Sequence, residues 1–272
     1  MRAPRQGIPY IFQQFGSPQN CVFLAHLAPI WPRNCPIIAG VLILALDTSS
    51  PAGSLAVLRD EKVIGVISTI SEETYSSRMF RHLDYLLQEL SLTLDQVDLF
   101  AVDAGPGSFT GLRVGLAAAK AWAEVYKKPI AAVSGLEAVA AQAHSTAPML
   151  VPVLDARRRQ VYFGFYRRTG AGLALEGEEC VTTPAEFFAE LCARAVNTEF
   201  SIVTPAPELI SKEMSQLETL PSPPIERVST VLAPFIGQIG FRLAQRGLLT
   251  DSLMLDANYV RRTDAELHWK AP

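Results

Sequence analysis

The residues best placed to do chemistry lie in two short stretches, DTSSPAGS (Asp47–Ser54) and DAGPGSFTGLRVG (Asp103–Gly115). In the second, Gly105 and Gly107 bracket a proline and lead straight into a helical segment. Backbone N–H groups at such a helix start attract phosphate. The phosphate-loop pattern G-x-x-x-x-G-K-[ST] is not met, because Gly107 and Gly111 have only three residues between them and no lysine follows. A dinucleotide fingerprint wants a third glycine where Thr110 stands. In the first stretch Asp47 ends an apolar run beside Thr48, Ser49 and Ser54, a carboxylate and hydroxyls that could hold a metal-nucleotide. Plainer readings weigh more for both: a turn that aims the helix behind it, and an Asx turn that opens a hairpin. Nucleotide contact, if made, falls to Asp47, Thr48, Gly105, Gly107, Ser108 and Thr110.

Other chemistries find little support. His82 and His144 are far apart and neither has a second ligand at i+4, so no zinc pattern exists. No G-x-S-x-G nucleophile elbow occurs. Cys21, Cys35, Cys180 and Cys192 lack C-x-x-C spacing and read as free thiols of a reducing cytoplasm. A net charge of −3 argues against a stand-alone nucleic-acid binder. The arginine clusters at 157–159, 167–168 and 261–262 are local exceptions, and solvated surface is the ordinary reading of such clusters.

The elements that must position these residues begin at Val41. VLILALDTSS is a continuous apolar run ending in turn formers, a buried strand. SLAVLRD and VIGVIST follow after short turns and complete an antiparallel meander. From Ser77 to Leu90 the period switches, and Met79, Phe80, Leu83, Leu86, Leu87 and Leu90 form one helical stripe. LFAVDAG, GLRVGLAAAKAWAEVY, PIAAVS and GLEAVAAQA then alternate strand and helix, giving βββ-α-β-α-β-α and a mixed sheet flanked by helices. Near Pro148 the pattern restarts with MLVPVLDARRRQVYFGFYRR, and VSTVLAPFIGQIGFRLAQRG reads as a closing helix. The expected organisation is an N-terminal lobe over 41–147 and a smaller C-terminal lobe over 148–272.

The helix from Gly111 to Tyr126 is the more informative neighbour of the glycine turn. At about 100° per residue, Arg113, Lys120 and Glu124 fall on one narrow stripe and the remaining positions are apolar or small. Such a helix needs a cover besides its own sheet. The second lobe of the same chain and a partner helix are equally good covers, and Gly111, Gly115 and Ala118 would allow close approach.

Residues 1–40 differ from the rest, with six prolines, three arginines and no acidic residue. Their longest apolar run is too short to span a membrane, and the scattered prolines argue against a signal peptide. The expectation is a non-native or disordered extension, with the start of the functional chain near Val41.

ILALDTSSPAGSLAVL, AVDAGPGSFTGLRVGLAAAKAWA, AVSGLEAVA, VLDARRRQVYFGFY and NYVRRTDAE together resemble the bacterial TsaB (YeaZ) family, from about Leu42 to Glu266. The resemblance implies an actin-like ATPase (ribonuclease H-like) α/β fold of two related lobes. It implies a non-catalytic subunit that supports transfer of threonylcarbamoyl to the adenosine beside the anticodon of tRNA. The catalytic sister TsaD carries paired histidines on its first helix; Ser77–Leu90 has no such pair, and Tyr75 stands where many TsaB sequences have histidine. The implied partners are a TsaD-type subunit, a TsaE-type ATPase, a second copy of the chain when TsaD is absent, and tRNA only through the complex. The implied location is the cytoplasm. No metal or cofactor is expected of the chain itself, with ATP or ADP at most at an interface of the complex. Pairing through the first two helices makes Arg81, Tyr85, Gly111, Arg113, Gly115, Leu116 and Lys120 the interface candidates. The competing class is a stand-alone ATPase or sugar kinase of this fold, against which stands Ser49, where active members usually have glycine.

Overall fold

Leu42–Asp47 is apolar at every position but its last and buried throughout, as a strand covered on both faces must be. In the computed structural model, which describes residues 40–71, 73–194, 198–211 and 224–261, it is β1 at the centre of the first sheet. The expected extension over residues 1–40 lies outside the described residues, apart from Gly40. β2 (Ser54–Arg59) and β3 (Lys62–Ser68) complete the meander, and β3, at the sheet edge, has no fully buried position. β4 (Leu99–Gly105) and β5 (Ile130–Ser134) add parallel to β1 on its other side. The order is β3-β2-β1-β4-β5, with only β2 reversed.

The second sheet repeats this plan. β6 (Met149–Asp155) takes the central place, and β11 (Phe200–Thr204) and β12 (Ile225–Arg227) add parallel on one side. On the other side β7 (Val161–Phe163) and β8 (Tyr166–Thr169) both run antiparallel to β6 and act as one interrupted strand. β9 (Gly172–Leu175) pairs with β8, and β10 (Cys180–Thr182) with β7. Order and direction therefore match the first sheet, the two-lobed ribonuclease H-like arrangement of actin-like ATPases.

Helices close both sheets. α1 (Tyr75–Glu89) and α2 (Phe109–Tyr126) lie side by side on the first sheet, where Met79, Leu83, Leu86, Leu112, Ala119 and Trp122 share its core. α4 (Pro184–Arg194) buries Phe187, Phe188 and Leu191 against the second. The helices that end each half cross over. α3 (Gly135–Ala140) follows the first sheet but packs on β6 and β11. α5 (Ala233–Gln245), expected to close the second lobe, returns to β1, β2, β4 and β5. The exchange ties the lobes together through apolar burial at roughly 25 cal/mol per Å² of surface removed from water. Among the described residues no helix is long and apolar enough to cross a membrane.

Candidate functional site

Asp47 ends β1, and its Oδ1 accepts hydrogen bonds from the Ser49 N–H at 2.8 Å and the Ser49 hydroxyl at 2.7 Å. This is the Asx turn that opens the β1–β2 hairpin. Leu46 pairs with Val102 in the parallel ladder, so the next residues of the two strands, Asp47 and Asp103, come together beneath the turn. Asp103 Oδ1 accepts from Gly105 N–H at 2.8 Å. Both carboxyls are buried, and the second oxygen of each finds no donor elsewhere in the chain. Burial raises both above the ordinary carboxylate range, and the neighbouring Asp47 charge raises Asp103 further. Tyr75, whose hydroxyl is also buried without a partner, is pushed up by burial and by Asp47.

Directly above, the glycine turn packs on the same hairpin. Ser108 N–H donates to Ser49 O at 2.9 Å. The Ser108 hydroxyl caps α2 by accepting from Gly111 N–H at 3.3 Å. Thr48 Oγ1 donates to Gly111 O at 2.7 Å and accepts from Gly115 N–H at 3.1 Å. A Cβ at Gly111 would stand 2.0 Å from Thr48 O, and one at Gly115 would stand 2.5 Å from Thr48 Oγ1. The glycines thus admit the chain's own β1–β2 turn.

The turn, the start of α2 and the facing hairpin of the second lobe enclose a cleft of about 1550 Å³. Four of the nucleotide-contact candidates, Thr48, Gly107, Ser108 and Thr110, line it. Asp47 and Gly105 do not: both are buried beneath it. Ser54 is withdrawn as well, because its hydroxyl accepts from Ala233 N–H at the start of α5. The opposite wall holds Asp155, Arg157, Arg158, Tyr162 and, from the C-terminal stretch, Arg261. Sequence reasoning missed Asp103 and this wall. The signal was present: Asp103 is the one charged residue in a buried strand, and LALD before the first turn is echoed by PVLD before the second.

The interface candidates divide. Arg81 is exposed and pairs with Glu73 at 2.7 Å; Tyr85 is 57% exposed. Arg113 is exposed, stacks over Phe109 at 3.7 Å and donates to the Tyr259 hydroxyl at 3.3 Å, while Lys120 is half-buried. Gly111, Gly115 and Leu116 lie on the inner side of α2. The two glycines face Thr48, and Leu116 sits in the core of the first lobe. Phe80, expected on the inner stripe of α1, is 58% exposed and meets Trp122 edge-on with ring centres 6.5 Å apart. The inner places are taken by Met79 and Leu83, which leaves Phe80 at the margin of a stripe too wide for one sheet. Ala117, Ala121 and Val125 form an exposed line along α2. Of the two expected covers of α2, the same chain supplies one, from the end of the 148–272 range. The C-terminal stretch lies on it, with Leu255 in the core, Ser252 bonded to Glu124 at 2.8 Å and Tyr259 stacked on Phe109 at 5.2 Å.

A polar cluster joins the lobes behind the cleft. Glu179, just before β10, accepts from the hydroxyls of Ser134 and Tyr166 and from Asn258 Nδ2 at 2.5 Å. Burial raises Glu179, and burial together with the Glu179 charge pushes Glu137 up to about 7. Among the described residues no three His, Cys, Asp or Glu side chains gather as a metal site.

With this geometry in place, comparison with known proteins is informative. The family model of TsaD, tRNA N6-adenosine threonylcarbamoyltransferase, matches residues 56–216, more than half of the chain. The TsaB protein of Bacillus subtilis, named for tRNA threonylcarbamoyladenosine biosynthesis, is 38% identical over 125 residues, 46% of this chain and 55% of that protein. The TsaB protein of Haemophilus influenzae is 40% identical over 124 residues, 44% of this chain and 52% of that protein. The matches thus span about half the length of these relatives. Among solved structures, YeaZ from Pseudomonas aeruginosa superposes with a TM-score of 0.67 at 24% identity, over 80% of this chain and 99% of that one, and so shares the fold. The chain therefore belongs to the TsaD family of tRNA N6-adenosine threonylcarbamoyltransferases, as a member of its TsaB (YeaZ) branch.

Proposed function

We propose that this chain is a non-catalytic subunit in the making of threonylcarbamoyladenosine in tRNA, and that it activates a TsaD-type catalytic subunit by pairing with it through α1 and α2. The observation that carries this reading is the outer surface of that helix pair. Phe80, Tyr85 and Val125 are 58%, 57% and 70% exposed there, beside the small side chains of Ala117 and Ala121. Large apolar groups grouped on neighbouring helices mark a surface that another protein covers. The TsaB relatives, named for threonylcarbamoyladenosine biosynthesis, supply the pathway. A TsaE-type ATPase and a homodimer through the same helices belong to this reading, as does a cytoplasmic location, and any ATP or ADP sits at an interface of the complex. The stand-alone ATPase fares worse, because the strand-end carboxylate that would hold a metal-nucleotide, Asp47, is sealed under the Asx turn.

The test is the mass of the complex formed with the same organism's TsaD, by size exclusion with light scattering. Wild type gives a 1:1 heterodimer and restores threonylcarbamoyladenosine formation. Phe80→Glu and Tyr85→Glu lose the heterodimer while keeping the fold. No heterodimer, together with ATP turnover by the chain alone, would establish the stand-alone enzyme instead.

A further inference from the structure

The cleft between the lobes differs in charge from the chain that forms it. The whole chain carries −3, yet the cleft is lined by five arginines and only two carboxylates, Glu73 and Asp155. Glu73 is already paired with Arg81, and Asp155 with Arg157 at 3.4 Å. An anion is the ligand such a lining selects.

The tip of the β6–β7 hairpin adds a second, independent peculiarity. Arg157, Arg158 and Arg159 have φ of 62°, 53° and 58°, three consecutive side-chain-bearing residues in the left-handed region. Each such residue costs roughly 1–2 kcal/mol. The turn is held in spite of this. Asp155 Oδ1 accepts from Arg157 N–H at 2.7 Å, and Gln160 N–H donates to Arg157 O at 2.9 Å. From outside the hairpin, Arg261 donates to Ala156 O at 2.9 Å and to the Gln160 side chain. The protein thus keeps a strained turn whose residues are all cationic, and it sets Arg157 and Arg158 into the cleft wall.

Size and aromatic content decide which anion. At about 1550 Å³ the cleft exceeds the ~300–1,000 Å³ of small-molecule pockets. Its rim carries Phe109 and Tyr259, stacked on each other and 38% and 37% exposed, with Arg113 on the face of Phe109. Guanidinium groups along a groove with aromatic faces at its edge are the means by which proteins hold unpaired nucleotides.

We infer that the cleft holds a single-stranded segment of RNA, with backbone phosphates on the Arg157–Arg158 turn and Arg261 and a base against Tyr259. The inference rests on the tRNA-modification reading above for the source of the RNA. It departs from the expectation that tRNA is met only through the partner.

The experiment uses the full chain alone and a fluorescein-labelled oligoadenosine of about a dozen nucleotides, followed by anisotropy from about 50 to 200 mM salt. Wild type binds, and its affinity falls with salt. Arg157→Asn with Arg158→Asn keeps the turn, since asparagine accepts left-handed backbone. It weakens binding about tenfold and lowers the salt slope by about 1.4, two phosphates at ~0.7 each. Tyr259→Ala, made separately, weakens binding about fivefold or more with the salt slope unchanged. Wild type that fails to bind at low salt overturns the inference, as does binding that ignores these substitutions. Stoichiometric displacement of the RNA by ATP overturns it in favour of a mononucleotide pocket. The heterodimer mass is read on the same variants: lost RNA binding with an intact heterodimer bears on the cleft, whereas a heterodimer absent in wild type bears on the subunit reading.

Discussion

Thr48 and Gly115 are locked together: the Thr48 hydroxyl accepts from Gly115 N–H at 3.1 Å and stands 2.5 Å from where a Cβ on Gly115 would be. One side chain thereby fixes the first turn of the sheet to the second turn of α2, and with it the wall of the cleft.

Gly115→Ala is expected to destabilise by about 1–3 kcal/mol, because it overpacks this contact. Thr48→Ala costs about 1–2 kcal/mol through the lost hydrogen bonds. The double variant costs less than the sum, since Thr48→Ala vacates the space the new methyl needs. Urea denaturation of the four proteins checks the sign, and strict additivity would mean that the contact is not what limits Gly115. Gly111→Ala is worse than either single change, because its methyl meets the Thr48 carbonyl at 2.0 Å and backbone cannot step aside.

Asp103 keeps a proton in the folded state that it loses on unfolding above the ordinary value of 3.8. The folded state therefore binds more protons than the unfolded one, and stability falls as pH rises from 3.8 toward the raised folded value. Asp103→Asn retains an acceptor for Gly105 N–H and offers an N–H to Asp47. The variant is expected to lose less stability than wild type between about pH 5 and about pH 8, and to be the more stable of the two at the upper end. Parallel denaturation curves at both pH values decide this; equal slopes for variant and wild type count against a proton held at Asp103.

Glu137 titrates within reach of physiological pH. Its folded value of about 7 lies above its ordinary 4.5, so its contribution to stability is lost as pH rises through that window. Glu137→Gln flattens the dependence of the thermal midpoint on pH between those values. Arg242→Gln acts oppositely and steepens it, since that guanidinium favours the ionised form. The measurement is a series of thermal melts across the window.

Glu179 receives donors from β5, β8 and the C-terminal stretch at once. Glu179→Ala removes the acceptor shared by the Ser134 and Tyr166 hydroxyls and the Asn258 amide, at a cost of about 3 kcal/mol or more. Hydrogen exchange is expected to quicken first around Asn258, whose N–H bonds to Ala104 O at 2.7 Å. Uniform loss of protection throughout the chain would instead indicate that Glu179 supports the whole fold rather than this junction.

Much of this was legible in residue order. The apolar run of β1, the switch to a 3.6-residue period in α1 and the restart near Pro148 are local patterns, and local backbone preference together with burial suffices to produce them. The Asx turn at Asp47 is equally local, since acceptor and donors lie two residues apart. Phe80 was misplaced because period locates a face but not its edges. Whether a residue at the margin of a stripe is covered depends on how closely the neighbouring helix approaches, and here Trp122 of α2 sets that limit.

By itself the sequence determined the strands and helices of the first lobe, their order and the two turns that carry hydroxyls and glycines, because each of these depends on neighbours a few residues away; β9–β12 and α4 of the second lobe carried no such reading. Tertiary structure alone decided that Asp47 meets Asp103, that Gly115 faces Thr48, that α5 returns to the first sheet and that Arg157 confronts Ser108 across a cleft. The physical reason is distance along the chain. Those pairings join residues tens of positions apart, and they follow from parallel register, helix exchange between lobes and the packing of one layer on another, which no short-range pattern encodes.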